Sequence, residues 1–293
     1  MFTVVDISAW DVIADEPMGG KTKEWRRAPD GRRWLFKEVT RSTHAGGTEQ
    51  LIGEDWAEKV VSELAAAAGI PCASVELASD RTRRGCISAS MIEDGEDLVH
   101  GNELLWRKDP AYPKAGTYGA WYTVERVLEA LDLGGKDVAG NETVSTFVGY
   151  LMLDAWVSNS DRHHENWGVL VSGAGRARLA PSFDHASSLG FGLTDEERAA
   201  RLSTRDVGYG IETWARRGRS PFYASDLRRL TMLDVARRAL AISQLTDPWS
   251  ERINAAQSQA DDIVARVPDA VMSGTAKMFA TRLLGVNTAS LAR

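Results

Sequence analysis

VSNSDRHHENWGVL, Val157 to Leu170, sets two adjacent histidines, two acids and two asparagines within a few residues. Four chemistries compete for it: a metal site, a nuclease loop, a phosphoryl-transfer loop and a polar turn. Neighbouring side chains on a regular element point apart, which counts against one metal shared by His163 and His164. A histidine–asparagine nuclease sets its histidine pair before a hairpin, and an asparagine and a further histidine after it on a helix. Here Asn166 comes before the hairpin, and His185 closes a strand. Phosphoryl transfer needs a carboxylate to orient the attacking hydroxyl, oxygen ligands for magnesium and cations along the phosphates. Asp161 and Asn166 stand five apart, the spacing of the catalytic-loop Asp and Asn of a protein kinase. Asp184, in SFDH after the hairpin, adds an oxygen donor, and magnesium prefers such donors to imidazole.

Upstream, ETVSTFVGYLMLDAWVSN reads as a long apolar helix that delivers the loop. Downstream, WGVLVSG and RARLAP read as two short strands around Gly173-Ala174-Gly175. The first hundred residues differ in kind. FTVVDI and RRWLFKEVT read as strands, with Asp30-Gly31 as a hairpin turn and Lys37 on the second strand. EPMGGKTKEW is a glycine and lysine turn before it. EDWAEKVVSELAAAA has helical spacing at Trp56, Val60, Leu64 and Ala67, closed by Gly69. IPCASVELA and GCISASMIE are two more strands. EDGEDLVHGNELL reads as a crossing segment. Beyond about residue 120 the chain is mainly helical, with a capping box at Thr194 and Glu197 and amphipathic scaffold from about residue 225 to 280. The order predicts an α+β, bilobal protein-kinase-like fold: a β-rich N-lobe over residues 1–95 and a mainly helical C-lobe over residues 96–293.

Bulk properties agree. The chain has 293 residues and is 43% hydrophobic, enough for a substantial core. A formal charge of −6 disfavours coating nucleic acid, so no direct nucleic-acid partner is expected. Two cysteines, Cys72 and Cys86, make neither a zinc cluster nor a disulfide framework and indicate a reducing, cytoplasmic setting. No stretch is long and apolar enough for a transmembrane helix, and the acidic N-terminus is unlike a signal peptide.

On these motifs the sequence resembles the HipA-like serine/threonine kinases, in particular their short, CtkA-type members. NSDRHHEN is similar to that family's N-x-D-x-H-x-x-N loop, LAPSFDH to its A-P-x-[YF]-D metal segment, WLFKEV to its ATP-lysine strand and EDWAEKVVSELAAAAGIP to its first helix. The likeness covers about residues 15 to 190. It implies ATP and Mg2+ as cofactors and a protein Ser or Thr as acceptor. It implies Asp161 as catalytic base, with His163 bracing the loop. Asn166 and Asp184 become metal ligands, and Lys37 contacts the phosphates. Glu58, or else Glu54, pairs with Lys37; the two share a helix face. Gly19, Gly20, Lys21, Thr22 and Lys23 form the phosphate loop, and the backbone of Met91, Ile92 and Glu93 meets the adenine. The turn MGGKTK is not a G-x-G-x-x-G loop. The large N-terminal subdomain of full-length toxin kinases is not in this sequence, which bears on any antitoxin-like partner.

Taken singly, each residue has a plainer reading: Lys37 a solvated strand lysine, Glu58 a surface helix residue, Gly19-Gly20 a turn, and Arg216, Arg217 and Arg219 a solvated run in a loop. The alternatives are a small-molecule or lipid kinase, an inactive nucleotide-binding module and a metal-dependent nuclease.

Overall fold

The computed structural model describes residues 1–16, 23–43, 49–113, 118–131, 139–244 and 248–293. The expected Gly19, Gly20, Lys21 and Thr22 of the phosphate loop lie outside the described residues. In the N-terminal part, strands β1 (Val4–Asp6), β2 (Asp11–Asp15), β3 (Lys23–Arg27) and β4 (Arg33–Glu38) precede a small hairpin of β5 (Arg41–Thr43) and β6 (Glu49–Leu51). Helix α1 (Glu54–Ala67) and strands β7 (Val75–Asp80) and β8 (Arg83–Ala89) follow. One six-stranded sheet results, in the order β1-β7-β8-β4-β3-β2. The β3–β4 turn holds Gly31 at φ 86°, a left-handed position that suits glycine.

Strand alternation places the key lysine. Trp34 and Phe36 of β4 face a small core with Ile7, Ala28, Ala78 and Ile87. Lys37 therefore points to the opposite face. Register lines up Leu77, Cys86, Lys37 and Lys23 across β7, β8, β4 and β3 on that face. Leu77 is buried there with the inward side of α1, Trp56, Val60, Val61 and Leu64.

The chain then enters β9 (Glu96–His100), followed by α2 (Gly101–Lys108), α3 (Val124–Leu131) and α4 (Ala139–Val157). Next come β10 (Gly168–Ser172), β11 (Ala177–Leu179), α5 (Asp195–Ser203), α6 (Ile211–Arg217), β12 (Arg219–Tyr223) and β13 (Arg229–Thr231). Three helices close the chain: α7 (Met232–Ser243), α8 (Trp249–Ala265) and α9 (Gly274–Leu291). The capping box of Thr194 and Glu197 forms at the start of α5. Two expectations need correcting. The crossing segment contains β9, which pairs with β10 and makes the hairpin a three-stranded sheet. The arginines 216 and 217 sit on α6, and Arg219 opens β12, rather than lying in a loop. Glycines at both ends of α6, Gly210 and Gly218, gave that stretch the look of a loop.

The main hydrophobic cluster runs through both parts. It joins α1 to Leu151 and Trp156 of α4 and to Ile253, Ala256 and Ile263 of α8. The Phe2 amide donates to Arg266 O at 2.6 Å, and Arg84 of β8 donates to Asp55 of α1 and to Val271 O. No helix among the described residues is long and apolar enough to cross a membrane.

Candidate active site

Helix α4 ends because Ser158 adopts a left-handed conformation, φ 55°, which turns the chain out of the helix. The loop that follows is held from beneath. Asp154, a single acid in an apolar helical run, accepts from Asn159 Nδ2 at 2.8 Å, and Asn159 Oδ1 accepts from the Asp161 amide at 3.2 Å. The Asp161 carbonyl accepts from the His163 amide at 2.8 Å and from Asn166 Nδ2 at 2.7 Å. The second bond fixes which end of the Asn166 amide is which, and reserves its oxygen for other partners.

Arg162 is the keystone. It is 1% exposed, and all five of its N–H groups have acceptors. It forks onto Asp154 at 2.8 Å twice, and reaches Asn166 O at 2.7 Å, Phe183 O at 3.1 Å and Ser182 Oγ at 2.9 Å. One guanidinium thus ties helix α4, the 159–166 loop and the segment before Asp184 together. His185 completes the network. Its Nε2 lies 2.8 Å from Ser182 Oγ, and burial pushes its pKa well down, so the ring is a neutral structural group.

Asp184 stands at φ 58°, an uncommon conformation for a residue with a side chain and one that concentrates at functional sites. Lys37 Nζ lies 2.5 Å from Glu58 Oε1 and 3.0 Å from Asp184 Oδ1, and Lys23 Nζ lies 3.9 Å from Asp184 Oδ2. Burial alone would raise the Asp184 carboxyl; the two lysines overcome it and hold the group far below the ordinary carboxylate range. Burial works against the Lys37 ammonium, yet Asp184 and Glu58 raise its pKa and keep it charged. Burial also raises Glu58, although Lys37 opposes this. The geometry pairs Lys37 with Glu58, while Glu54 accepts from the Thr40 amide at 3.0 Å. Gly85 makes the approach of β8 to Lys37 possible: a Cβ there would stand 2.1 Å from Lys37 O.

Lys23, Lys37, Glu58, Asp161, His163 and Asp184 line one cavity of about 230 Å3. Asn166 and Met91 to Glu93 are not among its lining residues. The Ile92 carbonyl accepts from Arg33 at 3.2 Å, and the Glu93 amide donates to Glu96 at 3.2 Å. His163 Nδ1 accepts from the Glu165 amide at 3.2 Å. His164 turns away into a tyrosine cluster, its Nδ1 2.8 Å from Tyr112 Oη, and burial lowers its pKa to about 4. Among the described residues, no group of three or more His, Cys, Asp or Glu forms a cage for a metal ion. The cavity wall nevertheless offers carboxylate oxygens beside two lysines. That donor set, in which carboxylates outnumber the one imidazole of His163 and burial keeps the Cys86 thiol protonated, suits a hard divalent cation carried in with phosphate oxygens better than a thiolate- or imidazole-seeking metal. Asp154, Asn159 and Arg162 escaped the sequence reading as a network. The lone acid in the apolar run LMLDAWV was the available signal.

Comparison with solved structures places this fold among kinases. A crystal structure of CtkA, a proinflammatory kinase from Helicobacter pylori, superposes with a TM-score of 0.76 at 16% identity, covering 99% of each chain. HipA of Shewanella oneidensis MR-1, in a toxin–antitoxin complex with HipB and operator DNA, gives a TM-score of 0.54 at 11% identity over 98% of this chain and 67% of that one. Hydra Fam20 with sugar gives 0.51 at 12% identity over 98% and 86%. No curated protein matches in sequence. The fold is α+β and protein-kinase-like. The HipA-like C-terminal domain model matches residues 12–272, nearly the whole chain, and the protein belongs to that family.

Proposed function

We propose that the protein is an ATP- and magnesium-dependent phosphotransferase, a serine/threonine protein kinase of HipA-like type. The observation that carries this reading is the convergence of Lys37, Glu58, Asp161 and Asp184, from a strand, a helix and two loops, on one cavity. The family and the kinase fold support the phosphotransferase class. Asp161, exposed at the cavity, orients the acceptor hydroxyl and takes its proton. Lys37, held by Glu58, lies along the phosphates, joined by Lys23 and by Gly19, Gly20, Lys21 and Thr22. Asn166 and Asp184 hold magnesium, and His163 walls the cavity beside Asp161. When bound, magnesium neutralises charge on the transferring phosphoryl group. The backbone of Met91 to Glu93 meets the adenine. The division at residues 95 and 96 into two lobes, a cytoplasmic setting and an antitoxin-like partner, of the kind HipB is to the Shewanella HipA, belong to the same proposal.

The test is incubation with γ-labelled ATP and magnesium beside Asp161→Ala and Asp184→Ala, read by intact mass and by label on added protein. Wild-type protein gains phosphate or passes it on, and both variants do neither while keeping their folded circular dichroism. Near-native transfer by either variant would falsify the assignment.

A further inference from the structure

A second cavity, of about 180 Å3, lies against the catalytic one. Ser187 lines both, and the mouth is at exposed Ser160, the residue before Asp161. The walls are apolar: Phe191, Leu193, Trp214 and Met232. Trp214 is held by an edge contact with buried Phe279 at 5.3 Å between ring centres. An apolar cavity of roughly 150 Å3 accepts a benzene ring, so this space fits one aliphatic or aromatic side chain. Successive Cα atoms lie about 3.8 Å apart, so a polypeptide that offers a hydroxyl to Asp161 carries a neighbouring side chain past this mouth.

We propose that this cavity is an acceptor-side subsite. It seats one aliphatic or aromatic side chain next to the hydroxyl-bearing residue of a protein substrate. The proposal rests on the phosphotransferase reading above and adds the class of sequence that the enzyme selects. Binding of the apolar side chain holds the neighbouring hydroxyl at Asp161, so selection appears in the rate of transfer.

A library of peptides with a fixed Ser or Thr and randomised neighbours, offered with γ-labelled ATP and magnesium, tests it. Wild-type protein enriches Leu, Ile, Met or Phe over Gly and Ser at one neighbouring position by roughly tenfold or more. Gly192→Leu is the decisive variant. Gly192 lines the cavity, has no left-handed backbone, and a Cβ there meets nothing within 4 Å, so the added side chain fills the space instead of displacing a neighbour. In that variant the apolar preference collapses, and Gly192→Ala shifts it from aromatic to smaller side chains. Phosphorylated peptides without an apolar preference in the wild type overturn the subsite, whatever the variants do. An unchanged preference in folded Gly192→Leu does the same. Self-phosphorylation without any selection from the library sinks the subsite and leaves the phosphotransferase reading standing. Complete absence of Asp161-dependent transfer overturns both.

Discussion

Lys37 shows how one side chain is fixed by three separate parts of the chain. Its strand puts it on the helix-facing side of the sheet, Glu58 anchors it from α1, and Asp184 meets it from the far side of the cavity. Replacing it with Met removes a cation from the cavity and leaves Glu58, 2% exposed, without its counter-charge. Transfer is expected to drop by roughly 10²–10³-fold. Stability falls by about 3–5 kcal/mol, measurable by urea unfolding. The choice between Glu54 and Glu58 was illegible in the sequence because residues four apart share a helix face. Only the fold around α1, which brings Lys37 of β4 to Glu58 and the Thr40 amide, just past that strand, to Glu54, separates them. The spacing of Asp161 and Asn166 was legible because the loop folds on itself: Asn166 bonds to the Asp161 carbonyl within one short turn. His164 makes a different prediction. Its folded pKa, about 4, lies below its ordinary value of 6.5, so the unfolded chain binds the proton more readily. Its contribution to stability is complete above about pH 6.5 and is lost as pH falls from there toward 4. His185 acts with the same sign. The melting temperature of wild-type protein should fall over that interval, and His164→Asn should flatten the slope without removing it.

At the scale of elements, α4 and the two loops behave as one piece because Arg162 binds them all. Arg162→Met strands the Asp154 carboxylate in the interior, with an expected loss of about 3–5 kcal/mol by denaturant unfolding. The two loops then lose their common tie. Double replacement, Arg162→Met with Asp154→Leu, should recover much of the stability, since an apolar pair does not need the compensation a buried ion pair needs. It should not recover transfer, because Asn166 and Asp184 stay untied. A sequence cannot display this hub: its acceptors lie on residues 154, 166, 182 and 183. Long elements with strong periodicity, such as α1 and α4, were readable for the opposite reason, since each carries its pattern within itself. Strand β9 was not readable, because its partner β10 lies some seventy residues further on and its own sequence is acidic and short. The β12–β13 hairpin was hidden by the run of arginines at its start.

For the molecule as a whole, the two parts share the main hydrophobic cluster. Calorimetry should therefore show one unfolding transition, with equal calorimetric and van't Hoff enthalpies. Two resolved transitions would mean that the parts melt separately. Arg84→Ala, which cuts the tie of β8 to Asp55 and to Val271, should lower that transition without splitting it. The seating of α1 against α8 has a further consequence. The helix that carries Glu58 also belongs to the far half's interior, so the N-terminal half is not a transplantable cassette. Severed after residue 95 and grafted elsewhere, it would lose the part of its hydrophobic cluster that Ile253, Ala256 and Ile263 of α8 supply. Recombination that swaps C-terminal halves between relatives has to keep the matching face of α8 with α1, or it yields an insoluble hybrid.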